Sequence, residues 1–291
     1  MSVASVYNVQ GREFPKIQEI DSPWFSELSQ KVNEITSIIF TTTENDLELL
    51  QRSFSFIGDK IAKTRAKIER RALFDRIQND TELMGLLAFF IAKTSVSYDN
   101  PQEIATWLSR VKTEVARLLV HLQDSSYLGN LPKCKDQSEL KERAHEIMWD
   151  QKKMKQLFQK AVDISLIECF KLLIRSYSGR ENKLDLSLDA GQSAAKIRQW
   201  FLDTQPSISD FSITGAQITC LPPEICQLSI TKLHIVKTKI ATLPPTMKQM
   251  SSLMLHLSQP SSIFEFPDPS FFPKELQIML DSDLEKSLQA F

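Results

Sequence analysis

From residue 22 to residue 177 apolar side chains recur at steps of three and four, the period of helices with one buried face. Ser22-Pro23 pairs an N-cap with proline at the first helical position, and Phe25, Leu28, Val32, Ile35 and Ile39 follow as one stripe. A longer stripe, Leu47, Leu50, Phe54, Ile57, Ile61, Thr64 and Ile68, predicts a long packed or coiled-coil-like helix to about Ile77. A short, nearly all-apolar helix is expected near 81–93. Asn100-Pro101-Gln102-Glu103 reads as a capping box ahead of Ile104, Leu108, Val111, Val115, Leu118 and Leu122. Leu140 to Tyr177 is helical again and is stopped by Gly179. Five helices, three of them long, predict an elongated helical bundle over 22–180 behind an N-terminal tail, 1–21.

Beyond 180 the pattern changes. Residues 181–189 are polar and linker-like, and 194–203 form a short amphipathic helix carrying Ile197, Trp200 and Phe201. A repeat follows. ISDFSITGAQITCLPPEICQLS begins at Ile208 and ITKLHIVKTKIATLPPTMKQMS at Ile230, an offset of 22. Apolar positions coincide in pairs: Phe211 with Leu233, Ile213 with Ile235, Ile218 with Ile240, Ile225 with Met247, Leu228 with Met250. Both copies carry Leu-Pro-Pro, at 221–223 and 243–245, which predicts an extended return where no helix forms. A degenerate third copy holds Leu255, Leu257 and Ile263, and Leu276 and Ile278 are placed to begin a fourth strand. A fixed period in the twenties is a solenoid signature.

The two LPP copies resemble the leucine-rich repeat, LxxLxLxxNxLxxLPxxIxxL, over about a third of the chain. Ala216, Thr238 and Pro260 stand in the column where that family has Asn. The resemblance implies a mainly α protein with a small α/β solenoid: an elongated N-terminal helical bundle, then a short leucine-rich-repeat module, 190–291, capped by the helix 194–203. A helix before LPP-type repeats also resembles the type III secreted leucine-rich-repeat effectors of bacteria. In such a repeat the residue between the two core leucines of each strand faces outward on the concave sheet. That assigns Ser212, His234, His256 and, in a fourth strand, Gln277 to one column. Asp210, Lys232 and Met254 form a second, and Thr214, Val236 and Ser258 a third. These nine side chains of the first three strands are the expected contact surface for a protein partner. With only two full copies the repeats are also expected to need the helices for a core.

Composition narrows the chemistry. The chain is 42 % apolar and 24 % charged with a formal net charge of −1, which argues against a protein-wide field for nucleic acid. Seven glycines, the closest pair at 179 and 191, leave no phosphate-cradling loop. Cys134, Cys169, Cys220 and Cys226 form no CxxC pair, so neither a zinc site nor a disulfide framework is expected. Leu83–Ala92, the longest apolar run, falls short of a membrane span. The N-terminus has no secretory signal. The chain is expected to be cytoplasmic, or exported without a signal peptide into a host cell.

Two alternatives accompany the protein-binding expectation. Some of the effectors it resembles carry a ubiquitin-ligase domain with a catalytic Cys-x-Asp, which Cys134-Lys135-Asp136 matches, with Lys133 and Lys135 favouring a thiolate. In that family, however, the ligase domain follows the repeats. Lys60, Lys63, Lys67, Arg70 and Arg71 form a basic helical stripe in a segment, 58–76, of net charge +4, suited to an anionic membrane surface. No HExxH or comparable metal spacing occurs, His145-Glu146 lacking its second His, and Trp24, Trp107, Trp149 and Trp200 read as packing. The resulting expectation is a non-enzymatic protein-binding scaffold without cofactor or metal.

Overall fold

The computed structural model describes residues 47–94, 96–123, 134–176, 184, 186, 188–215, 217–250, 252–258 and 264–280. The helix expected at 22–39 lies outside them, as do the tail, Ala216 and Pro260. The chain divides after Arg65 into two units. Among the described residues are seven α-helices: α1 Leu47–Gln78, α2 Thr81–Leu87, α3 Pro101–Gln123, α4 Gln137–Trp149, α5 Gln151–Ser176, α6 Ala190–Thr204 and the single turn α7 Pro223–Cys226. Four strands, β1 Asp210–Thr214, β2 Lys232–Val236, β3 Ser252–Ser258 and β4 Glu275–Leu280, pair in that order as one parallel sheet.

Local chemistry explains the element ends. Asn100 Oδ1 accepts from the Gln102 and Glu103 amides, and Asn100 Nδ2 donates to Glu103 Oε1, so α3 starts on a reciprocal cap. Asp136 and Asp189 cap α4 and α6, each Oδ1 accepting two backbone amides of the first turn. The continuous helix expected over 140–177 is broken at Asp150. Its backbone is extended there, and its Oδ1 accepts the Lys153 amide to start α5 afresh. Apolar periodicity runs across this break unchanged, which is why the pattern alone conceals it. The expectation that Leu-Pro-Pro excludes helix is also corrected. Pro222 and Pro244 are extended, but Pro223 opens α7 and Pro245 opens a 3-10 turn, Pro245–Gln249. A proline at the first helical position loses no hydrogen bond.

The expected architecture, a mainly α bundle followed by a solenoid, is not what forms. The protein is a mixed α/β fold with one small, open parallel sheet. In a solenoid each repeat contacts only its neighbours. Here successive repeats are tied directly to helices. His121 on α3 lies 3.1 Å from the Gln217 carbonyl oxygen, Arg117 donates to the Lys239 carbonyl at 2.9 Å, and Arg110 pairs with Glu265 at 2.8 Å. One hydrophobic cluster runs from Leu73 and Phe74 through Val111, Leu118, Phe158 and Phe170 to Ile213, Leu233 and Leu255. The inward sides of two full repeats are too small to close a core, so α5 packs on β1 and completes it.

Candidate functional site

Strands β1, β2 and β3 alternate strictly. Phe211, Ile213, Leu233, Ile235, Leu253, Leu255 and Leu257 are buried on one side, and the intervening residues face outward. Parallel pairing places Asp210, Lys232 and Met254 in one row across the sheet, Ser212, His234 and His256 in a second, and Thr214, Val236 and Ser258 in a third. Asp210, Ser212, Thr214 and Lys232 are exposed; His234, Val236, Met254, His256 and Ser258 are half-buried. Gln277 does not join the histidine row. It pairs with Met254, and Met279, 53 % exposed, takes the place beside His256. The spacing from Leu255 suggested a fourth copy 21 residues on, but Leu255 pairs with Ile278, 23 residues on. The extra residues of the third connection shift the register by two, and a shift of two preserves which face a side chain takes.

Within the histidine row, His234 Nδ1 and His256 Nδ1 are 3.2 Å apart with their rings nearly perpendicular. Asp210 Oδ1 lies 3.4 Å from His234 Nε2, on the far side of that ring. Tandem histidines at equivalent repeat positions were visible in the sequence; the carboxylate at the outer nitrogen was not.

Two polar clusters that sequence patterning missed hold the first repeat against the helices. Arg198 on α6 donates through Nη2 to Asp163 Oδ1 at 2.8 Å and through Nε to Glu224 Oε1 at 2.6 Å, joining α5, α6 and α7. Burial is the main influence on Asp163 and raises its carboxyl above the ordinary value despite the Arg198 guanidinium. Ser165, fully buried on α5, accepts at Oγ from the Thr219 amide at 3.1 Å and the Cys220 amide at 3.4 Å. No local signal marks these residues, because partners more than 25 positions apart leave no trace in periodicity.

Cys169, Cys220 and Cys226 are buried, and desolvation pushes the Cys220 and Cys226 thiols up to about 12. Cys134 is half-buried with Arg143 Nη1 3.6 Å from its Sγ. Asp136 of the Cys-x-Asp triplet is occupied by the α4 amides. The basic stripe lies on α1, where Lys60, Lys63, Lys67 and Arg70 are exposed. Arg71 is committed elsewhere: its guanidinium sits 4.6 Å from the Tyr98 ring centre, bonds the Tyr98 carbonyl and pairs with Asp75 at 3.3 Å. Trp107 is buried and donates to the Lys93 carbonyl at 3.0 Å, a packing role.

A groove of about 980 Å³ runs beside α3, with Phe90, Ile91, Phe264 and Phe266 along it and the Arg110–Glu265 pair at its rim. Among the described residues no three His, Cys, Asp or Glu side chains converge as a ready metal cage, and no helix is long and apolar enough to cross a membrane. No protein-family model matches the chain, and no curated protein or solved structure matches it.

Proposed function

We propose that this protein is a non-enzymatic binding module that engages a protein partner through the outward face of its parallel sheet. The observation that carries the reading is the three-by-three array from Asp210 to Ser258, held in register across β1, β2 and β3. A parallel sheet is ordinarily covered on both faces. Here one face sits on the core and the other presents polar, charged and small apolar side chains at strand spacing, about 4.8 Å. Such a surface is rigid before contact, so little ordering entropy opposes binding. The engagement of Asp136 as a helix cap and the burial of three thiols weigh against a thiol enzyme.

The test is affinity capture with the full chain, comparing wild type with the double variant Lys232→Glu, Val236→Lys. Lys141→Glu on α4 serves as the reference. The sheet variant is expected to lose the partner that wild type and the reference retain, with an unchanged melting transition. Retention of that partner by a folded sheet variant refutes the assignment.

A further inference from the structure

We propose that His234 and His256 form a two-ligand site for a single late first-row transition-metal ion, with copper binding most tightly. The inference concerns the chemistry of the pair and does not rest on partner binding. Four observations carry it. The two residues are register partners on adjacent parallel strands, so the backbone sets their spacing. Their Nδ1 atoms face each other at 3.2 Å. Two nitrogens each about 2.05 Å from one ion at a tetrahedral angle lie roughly 3.3 Å apart, so the pair is already at ligand separation.

The third observation is Asp210, with Oδ1 3.4 Å from His234 Nε2. A carboxylate there keeps the proton on Nε2 and leaves the Nδ1 lone pair facing His256, the arrangement that orients metal-binding imidazoles. In the metal-free pair one ring supplies the proton of the N···N contact; on binding that proton passes to the other nitrogen of its own ring, both Nδ1 lone pairs meet the ion, and no net proton is released. Fourth, both rings are half-buried on an outward face, so the remaining coordination positions open to water or to an external ligand. Imidazole suits zinc, nickel and copper, and divalent affinities rise to a maximum at copper.

The test is titration of the full chain with Cu²⁺, Ni²⁺ and Zn²⁺ at about pH 7.5, where free imidazole is neutral. Electron paramagnetic resonance of the copper-loaded protein accompanies it. One ion per chain, bound most tightly as copper with two nitrogen ligands in the spectrum, is expected. His234→Ala and His256→Ala should each weaken copper binding at least tenfold, and Asp210→Asn by roughly tenfold. His145→Ala and Cys134→Ser should leave it unchanged. His234→Gln, which keeps a polar side chain on the sheet, stands in if an alanine variant does not fold. Unchanged copper affinity in His234→Gln overturns the site, as does a wild-type spectrum lacking two nitrogen ligands.

Discussion

Replacing Arg198 by Met removes the cation from two carboxylates and keeps most of the aliphatic stem. Asp163 and Glu224 retain only 9 % and 11 % side-chain exposure, so neither is well solvated once the guanidinium is gone. Glu224 Oε2 already has no hydrogen-bond partner among the described residues. Breaking a buried ion pair by removing one partner costs about 3–5 kcal/mol. Arg198 is itself 35 % exposed, so solvent screens part of its charge, and the expected loss is about 2–3 kcal/mol. The sign with pH follows from Asp163. Burial, opposed by Arg198, raises its carboxyl in the folded protein. A raised folded value means that this group's contribution is full below the unfolded value and is lost as pH rises through the folded one. Removing Arg198 lifts Asp163 further, so the variant's deficit should be largest near neutrality and shrink on acidification. Urea unfolding at about pH 7.5 and about pH 5, followed by tryptophan fluorescence, measures both quantities. The triple variant Asp163→Leu, Arg198→Met, Glu224→Leu should regain most of the loss, because apolar replacement of a whole buried network is often neutral. A single variant within about 0.5 kcal/mol of wild type at both pH values refutes the reasoning, as does a deficit that grows in acid.

The remaining predictions concern the thiols and the unity of the core. With Cys220 and Cys226 raised to about 12 and Cys169 buried, a thiol reagent at about pH 8 should titrate Cys134 quickly and the other three only in denaturant; fast reaction of two or more thiols in the native chain contradicts this. Because β1 to β3 share one hydrophobic cluster with α3 and α5, the fragment 190–291 alone should lack a cooperative melting transition. A well-dispersed amide spectrum from that fragment shows the opposite.

Much of the local structure was legible in the amino-acid order. Alternation at 211–213, 233–235 and 255–257 assigned the strands and their buried faces, and the 22-residue offset predicted the pairing of Ser212, His234 and His256. Capping chemistry placed the start of α3. These features follow from steric and hydrogen-bond preferences over a few residues, which the sequence states directly.

Long-range partnership decided the rest. The repeat suggested a solenoid standing beyond a bundle. Three-dimensional packing instead fused repeats and helices, through Arg117 to Lys239, Ser165 to Thr219 and Arg198 to Glu224. None of these pairs shares a periodicity, so no pattern could announce it. The register of β4 depended on connection length, and Asp210 became a partner of His234 because parallel pairing sets the two diagonally across neighbouring strands on the outward face. Sequence determined which residues face inward and which strands can pair, because those depend on neighbours along the chain. Tertiary structure alone decided what the inward faces rest on and which outward groups meet, because a core closes only when the summed apolar surface of all its elements is enough to exclude water.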